Sequence, residues 1–200
     1  MALPLMLHLR GRRCLVVGAG KVGCRRARLL QQHGASVVAV DPAPAEELAC
    51  PGVELRRRAF CDSDLAGVFL VVIATNNPRT NAEIASRARA QGILINRADQ
   101  PEDGDIEILA HQFRDPLTIC VHSGGSAPPL AAWLSRELAD DIDPRILEYA
   151  RLLVDWRSSA ARPDQPQPTL AWMGSRRAFD LFCAEGFEAV LQAGQPDDSD

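Results

Sequence analysis

The sequence lacks any long run of apolar residues. The longest, GVFLVVIAT at 67–75, falls far short of the roughly 20 residues that a membrane-spanning helix needs. The start of the chain, MALPLMLHLRGRR, also lacks the charged n-region and the small-residue cleavage site of a secretory signal. We therefore expect a soluble, cytoplasmic protein that has no membrane partner.

The six cysteines lack any Cys-x-x-Cys spacing, which disfavours a disulfide framework or a zinc site and favours reduced, mostly buried thiols. No coherent set of metal ligands accompanies them, so no bound metal is expected. The cysteines are Cys14, Cys24, Cys50, Cys61, Cys120 and Cys183.

An excess of basic residues is missing as well. The chain has 22 Lys and Arg against 26 Asp and Glu, a formal net charge of −4, which argues against a nucleic-acid binder whose affinity rests on a basic face. Its 200 residues are 46% hydrophobic and 24% charged. This composition is typical of a globular protein with one good core and a small appendage.

Short apolar runs alternate with helical patterns over the first two thirds of the chain. The predicted strands are RRCLVVGAG, SVVAVD, VELRRRAF, GVFLVVIAT, ILIN and LTICVHS. The first intervening helix is predicted to place Val22, Ala27, Leu29 and Leu30 on its apolar face and to end at Gly34. The apolar face of the second helix is predicted to consist of Ile84, Ala85 and Ala88. Almost wholly apolar strands between helices indicate a parallel sheet covered on both faces, which is a Rossmann-like, doubly wound α/β fold.

The first chemical motif is VVGAGKVG, where Gly18, Gly20 and Gly23 form G-x-G-x-x-G between a strand and a helix. Gly18 permits the tight turn, Gly20 lets the backbone approach a pyrophosphate, and Gly23 allows close helix packing. Asp41 ends the next strand at about the 20-residue spacing of a ribose-binding acid, which favours NAD over NADP. A glycine-rich turn without a cofactor is the less favoured alternative.

Thr75, Asn76 and Asn77 follow the most apolar strand, in the segment IATNNP. Ligands of open α/β sheets bind at the carboxyl ends of the strands, so these polar side chains support a dinucleotide site there.

The second motif, CVHSGGSAPPLAAWL, joins a strand to a helix through Ser123, Gly124 and Gly125. Ser126 is the candidate helix cap, and Pro128 lies in the first helical turn. Free backbone N–H groups at this junction would suit an anionic ligand. A capped connection into a packing or dimerising helix explains these residues equally well.

The loop in GILINRADQPEDGDIEIL carries several carboxylates between two apolar runs. Glu102, Asp103 and Asp105 lie beyond Pro101 in what the composition predicts to be a solvated turn. Asp99 differs from them because it lies closer to the preceding strand.

The chain resembles the precorrin-2 dehydrogenase and sirohydrochlorin ferrochelatase family in four segments that occur in the same order. These segments are LPLMLHLRGRRCLVVGAGKVGCRRARLLQQHGASVVAV, IATNN, INRAD and HSGGSAPPLA. This family includes the first module of siroheme synthases and a standalone yeast-type enzyme. The resemblance implies an NAD-binding Rossmann domain at 1–115 and a dimerisation and helical segment at 116–158. A proline-rich linker at 159–169 and a C-terminal helical extension with an acidic tail at 170–200 are predicted to follow.

The resemblance also assigns roles to single residues. Asn96 and Asp99 match the ends of the family's N-x-V-D motif. The match assigns Asn96 to the cofactor site, and Asp99 falls on the aspartate to which catalysis is assigned. Ser123 matches a serine near the active site that is phosphorylated in some members. The NAD loop is matched by Gly18, Gly20, Lys21, Val22 and Gly23, and its adenosine side by Asp41, Pro42 and Ala43.

The implied reaction oxidises precorrin-2 to sirohydrochlorin, with a hydride passing to NAD⁺ and a proton to Asp99. The same carboxylate could accept pyrrole protons while Fe²⁺ or Co²⁺ is inserted as a substrate. A homodimer is expected. The candidate clamps for the tetrapyrrole carboxylates are Arg97, Arg114, Arg136 and the N–H groups of Gly124 and Gly125.

Two alternatives remain open. The segments GAGKVG and VVAVD also resemble the NAD-binding subunits that regulate ion channels, and such a module would have no use for Asp99 or Ser123. The other alternative is a degenerate paralogue that binds a tetrapyrrole without redox chemistry.

One departure from the family, the absence of an F-x-x-P segment in DIEILAHQFRDPL, bears on substrate contacts.

Overall fold

Five parallel strands form the sheet that the apolar runs predict. The computed structural model describes residues 3–45, 51–159 and 170–194. The strand order is β3-β2-β1-β4-β5, the arrangement of a dinucleotide-binding Rossmann sheet, so the predicted fold class is confirmed. The strands are β1 Arg13–Val17, β2 Ser36–Val40, β3 Val53–Arg56, β4 Leu70–Ile73 and β5 Leu94–Arg97, and the helices that follow β1 and β4 are α1 Lys21–Gln32 and α2 Pro78–Arg89.

Successive side chains of each strand point to opposite faces of the sheet. Leu15 of β1 belongs to a buried cluster that includes Ile84 of α2. The next residue, Val16, belongs to a second cluster that includes Ala27 of α1. Both faces are therefore covered by helices, as the apolar character of the strands predicts.

The helix faces agree with the prediction except in α1, where Leu29 is only partly buried and Val22 is exposed. The predicted residues of α2, Ile84, Ala85 and Ala88, are all buried. The buried stripe of α1 consists of Gly23, Cys24, Ala27 and Leu30. Val22 is instead 42% exposed, because it precedes the buried Gly23 and is rotated from it by roughly 100° around the helix.

The chain divides into two compact units, with the boundary between Ile108 and Leu109. The second unit begins with an antiparallel hairpin of β6 Ala110–Arg114 and β7 Leu117–Val121. The expectation that LTICVHS joins the parallel sheet was therefore wrong. A two-residue connection permits only antiparallel pairing, because a parallel pair needs a crossover of a dozen or more residues.

Helices complete the second unit. The hairpin packs against α3 Pro128–Asp140. The Tyr149 hydroxyl donates a hydrogen bond of 2.8 Å to the carbonyl of Met173 and so joins two of the following helices in a small aromatic core. Apart from Ser159, the predicted linker lies outside the described residues, as does the acidic tail at 195–200. The helices after α3 are α4 Pro144–Ser159, α5 Leu170–Met173, α6 Arg176–Glu185 and α7 Phe187–Ala193.

Two sequence-based expectations concern the chain as a whole. Within the described ranges, no helix is long and apolar enough to cross a membrane. The expectation of mostly buried thiols was wrong for the described cysteines, because burial depends on whether the position faces the core and not on the residue type. Cys14 and Cys24 are buried, whereas Cys61, Cys120 and Cys183 are exposed.

A buried carboxylate holds the connection between β3 and β4. Asp64 is fully buried and accepts hydrogen bonds from Arg58, from Arg56 and from the backbone N–H of Cys61, at 2.6–3.0 Å. The hydrogen bonds, chiefly those from Arg58, hold the pKa of Asp64 far below its ordinary value although burial raises it. The carboxylate therefore remains ionised and fully paired.

The Asp64→Asn substitution should lower the free energy of unfolding by about 2 kcal/mol at neutral pH, because it removes the charge from a buried, hydrogen-bonded group. Because the pKa of Asp64 is lower in the folded state than in the unfolded state, ionised Asp64 stabilises the fold at pH values above its unfolded-state pKa of about 3.9. This contribution to the free energy of unfolding is lost as the pH falls through the folded-state pKa. The difference between the two proteins should therefore shrink below about pH 4. Denaturant titrations at several pH values measure it.

The control is Asp62→Asn, two residues away. Asp62 forms an exposed ion pair with Arg87, and exposed pairs contribute little. Equal losses in the two variants would contradict the anchoring role of Asp64.

Candidate functional site

The glycine loop joins the end of β1 to the start of α1, and each glycine faces a different steric constraint. Gly18 has φ +94°, and a Cβ there would lie 2.5 Å from the carbonyl oxygen of Ala74. A Cβ on Gly23 would lie 1.8 Å from the carbonyl oxygen of Gly18. No atom lies within 4 Å of a Cβ built on Gly20, so the backbone there is open to a ligand. These are the steric properties of a loop that places a pyrophosphate at a helix N-terminus.

Asp41 follows β2 beside this loop. Its Oδ2 accepts a 2.6 Å hydrogen bond from the N–H of Ala19, and its Oδ1 accepts a 2.7 Å hydrogen bond from the N–H of Ala43. The two bonds fix the direction of the carboxylate and tie it to the glycine loop. A carboxylate has about four acceptor positions, so capacity remains for the two hydroxyls of a ribose.

A cleft of about 490 Å³ opens at the carboxyl ends of β1, β2 and β4. Sequence reasoning missed Ala59, Phe60 and Thr80, because they follow β3 or lie inside α2 and belong to no motif. Four predicted cofactor residues do not line the cleft, namely Lys21, Val22, Gly23 and Asn96. Its lining includes Gly18, Gly20, Asp41, Pro42, Ala43, Thr75, Asn76 and Asn77.

Asn81 connects the cleft to the next strand end. Its Oδ1 accepts a 2.5 Å hydrogen bond from the Thr75 hydroxyl, and its Nδ2 donates to the Thr75 carbonyl at 3.1 Å. Asn81 is fully buried, and its side chain also lies close enough to Asp99 to lower the pKa of that carboxyl group. No sequence motif marked Asn81, because its polar side chain lies among apolar neighbours in an ordinary helical pattern.

Asp99 lies just after β5 and is held by Arg97. Nε of Arg97 donates to Oδ1 of Asp99 at 3.1 Å, and Nη2 donates to Oδ2 at 2.6 Å. Arg97 is only 2% exposed, whereas the Asp99 side chain is 24% exposed. The carboxylate therefore combines a fixed orientation with an accessible surface.

Glu102 and Asp105 are exposed and Asp103 is half-exposed, which agrees with the predicted solvated turn, but two of these carboxylates also have partners in the protein. Asp103 Oδ2 accepts a 2.5 Å hydrogen bond from Nη1 of Arg97, and Asp103 also pairs with Arg89. Oδ2 of Asp105 accepts a 3.0 Å hydrogen bond from the N–H of Ile95. The turn folds back onto β5, so its carboxylates bind groups there that would otherwise lack partners.

The ionisation of Asp99 follows from these neighbours. Partial burial raises the pKa of Asp99, but hydrogen bonds from Arg97 and Asn81 lower it more, and the net result is a pKa below the ordinary value. Asp99 is therefore an anion at neutral pH and can accept a proton, although it is a weaker base than an unperturbed carboxylate.

Asn96 points to the opposite face of the sheet from Arg97, because the two residues are adjacent on β5. It is 3% exposed, and its Nδ2 donates to the carbonyl of Ile106 at 2.9 Å. Among the residues that the structure describes, its Oδ1 has no hydrogen-bond donor. A buried acceptor without a partner is unusual and would suit an N–H donor of a ligand.

In the second unit, the Ser123 segment forms the turn before α3. The Ser123 hydroxyl accepts a 3.2 Å hydrogen bond from the N–H of Ala127, and Ser126 donates to the Ser123 carbonyl. The predicted cap at Ser126 was wrong, since the N-cap position is Ala127. Gly124 and Gly125 both have positive φ and are exposed.

The three candidate arginine clamps differ in availability. Arg97 is buried and its side chain is paired with Asp99 and Asp103, which disfavours the expectation that it binds a substrate carboxylate. Arg114 pairs with Asp140 within the second unit. Arg136 is exposed on α3. Within the described part of the chain, no three His, Cys, Asp or Glu side chains form a group that could hold a metal ion.

A glycine turn, a strand-ending aspartate and a cleft at the carboxyl ends of parallel strands define the class of dinucleotide-binding Rossmann domains. Residues 5–110 match the model of a family described as "Putative NAD(P)-binding". The chain belongs to this NAD(P)-binding family, and NAD is the cofactor that its residues fit.

Known relatives extend beyond this region. The "Siroheme synthase" of Ectopseudomonas mendocina (strain ymp) is 35% identical over 99% of this chain, and that of Pseudomonas aeruginosa (strain LESB58) is 36% identical over 97%. The chain spans 42% of the length of each of these relatives. The solved structure of SirC, a precorrin-2 dehydrogenase, matches with a TM-score of 0.70 and 24% identity, covering 96% of this chain and 98% of that chain. At this identity the match supports a shared fold.

The glycine loop yields a matched pair of variants. Gly20→Ala should fold normally, because Gly20 has φ −74° and free space around it, yet its methyl group would occupy the place of the pyrophosphate. We expect the affinity for NADH to fall at least about tenfold, or ~1.4 kcal/mol, with an unchanged thermal midpoint.

Gly18→Ala should instead lower the thermal midpoint, because its Cβ would overlap the backbone at Ala74. NADH fluorescence titration and thermal unfolding measure both variants. A folded Gly20→Ala protein with unchanged NADH affinity would contradict this description of the loop.

Proposed function

We propose that this protein oxidises precorrin-2 to sirohydrochlorin with NAD⁺. The observation that carries the proposal is the ionised, accessible carboxylate of Asp99 beside the dinucleotide cleft. Asn81 contacts both Thr75, which lines the cleft, and Asp99, so the two parts of the site lie one side chain apart. The similarity to siroheme synthases and the fold shared with SirC support the same reaction.

In this reaction one hydride, which carries two electrons, and one proton leave the macrocycle. A bound nicotinamide supplies the hydride acceptor. Asp99 stabilises the positive charge that develops as the hydride leaves and accepts the proton, which then passes to water. Because its pKa is lowered, Asp99 stays in the accepting form throughout the neutral pH range.

The residues around the cleft would hold the dinucleotide. The N–H groups at the start of α1 and the exposed Lys21 would bind the pyrophosphate, and Asp41 would bind the ribose hydroxyls. A 2′-phosphate would meet the negative charge of Asp41, so we propose a preference for NAD over NADP. Asn96 does not line the cleft and its Oδ1 is buried, so no contact with the cofactor is proposed for it.

The proposal is tested by incubating the protein with precorrin-2 and NAD⁺ under anaerobic conditions and following the absorbance of sirohydrochlorin and NADH. We expect equal amounts of the two products and a slower reaction with NADP⁺. Asp99→Asn should lower kcat by about 10²-fold or more, because the proton acceptor and its charge are both lost.

Asp62→Asn, which also removes one carboxylate but lies outside the site, is the control for net charge and should retain full activity. An absence of NADH and sirohydrochlorin with the wild-type protein would refute the enzyme proposal and favour a regulatory module or an inactive tetrapyrrole-binding paralogue. Full turnover in Asp99→Asn would refute the role of Asp99 while leaving the reaction itself intact.

Metal insertion is the second step that we propose for the same site. An anion at Asp99 would accept the protons of two pyrrole nitrogens one after the other, passing the first to water before it takes the second, as Fe²⁺ or Co²⁺ enters. Adding either metal after oxidation is complete, with and without the protein, separates catalysed from spontaneous insertion.

We also propose a homodimer formed through the second unit. An isolated two-stranded hairpin is marginally stable, and the hairpin of β6 and β7 pairs with no further strand among the described residues. Its surface and that of α3 expose large apolar side chains, including Phe113, Leu130 and Trp133. A second copy of the chain would cover them, as in most symmetric oligomers.

Sedimentation should therefore give twice the 21.7 kDa mass of one chain. Trp133→Glu, which places a charge in the apolar surface, should shift the protein toward the monomer. The control Arg177→Glu changes an exposed residue of α6 and should remain dimeric. A monomeric wild-type protein at micromolar concentration would refute the dimer.

A further inference from the structure

The guanidinium of Arg97 is buried beneath the proposed catalytic carboxylate. Its Nε and Nη2 both bind Asp99, and its Nη1 binds Asp103. We propose that Arg97 is a positioning residue whose guanidinium holds the Asp99 carboxylate in one orientation for the reaction. This inference rests on the proposed role of Asp99.

The geometry of the pair favours positioning over simple core filling. The two parallel N–H···O bonds from Arg97 fix both oxygens of Asp99 and so remove its side-chain rotation. Buried ion pairs add little net stability over apolar residues of similar size. A planar guanidinium that binds both oxygens of one carboxylate instead fixes the orientation of that carboxylate, which a lysine at the same position would not do.

Asp103 completes the arrangement from the other side. It binds the remaining terminal nitrogen of Arg97, and Arg89 of α2 binds Asp103 in turn. The guanidinium is thus held between two carboxylates. If Asp99 moves, the bond to Asp103 keeps the guanidinium at the end of β5. The charged groups around Asp99 are Arg97 in direct contact and, beyond it, Asp103 and Arg89, with the neutral Asn81 facing it from α2.

Two substitutions separate the charge of Arg97 from its geometry. Arg97→Met removes both, so kcat should fall at least about tenfold, and the acid limb of the kcat profile should move upward by about one to three pH units as Asp99 loses its cation. Arg97→Lys keeps the charge and loses the planar guanidinium. Its kcat should also fall, while its acid limb moves by less than one unit.

The KM for NAD⁺ and the affinity for NADH should stay at the wild-type values in both variants, which also shows that the glycine loop is folded. The matched control is Arg87→Gln on α2, since Arg87 pairs with Asp62 and, among the described residues, forms no ion pair with Asp99 or Asp103. It should leave kcat and the acid limb unchanged. If the Arg97 variants do not fold, Asp103→Asn provides the test, because it releases one side of the guanidinium at a half-exposed position and should lower kcat a few-fold.

The outcomes distinguish this inference from the proposed function. The role of Arg97 would be overturned, and that of Asp99 would stand, if Asp99→Asn is inactive while Arg97→Met has the wild-type kcat and pH profile. If Arg97→Met is unfolded, the same result in Asp103→Asn would overturn the role of Arg97. Full activity in Asp99→Asn would overturn both roles. A lowered kcat with a shifted acid limb in Arg97→Met, and a lowered kcat without that shift in Arg97→Lys, would establish positioning.

Discussion

The close approach of α1 to the end of β1 is the constraint on which the cofactor site depends. No side chain fits between the carbonyl of Gly18 and the α-carbon of Gly23, and none fits between Gly18 and Ala74, the residue after β4. The helix N-terminus consequently lies directly beyond the central strand, beside the carboxylate of Asp41. The backbone N–H groups of the loop, the cleft and the carboxylate of Asp41 acquire their relative positions from this one contact.

The second half of the site is organised by charge. Arg97 is a buried cation that needs anionic partners, and it takes them from Asp99 and from Asp103 in the following turn. The same pairing lowers the pKa of Asp99, so the residue is an anion at neutral pH and a weaker base than an unperturbed carboxylate. Such a group suits a reaction in which positive charge develops on the substrate before a proton leaves.

The second unit has a different physical basis. Its hairpin has only two strands, and large apolar side chains remain exposed on the hairpin and on α3. This unit therefore has less internal stabilisation than the first, which encloses a five-stranded sheet between helices on both faces. The proposed dimer would supply the missing burial, and the siroheme synthases to which the whole chain is similar contain a region of matching length.

The sequence by itself determined the features that depend on local pattern. Apolar runs placed the strands of the parallel sheet, the glycine spacing identified the loop, and Asp41 followed at the expected distance. Tertiary structure decided which distant residues meet. Nothing in the local pattern indicates that Asn81 joins Thr75 to Asp99, that Arg97 is buried, or that Asp103 turns back to bind it. Hydrophobic periodicity records which side of an element faces the core, whereas partners of buried polar groups are set by the packing of separate elements, which no short stretch of sequence contains.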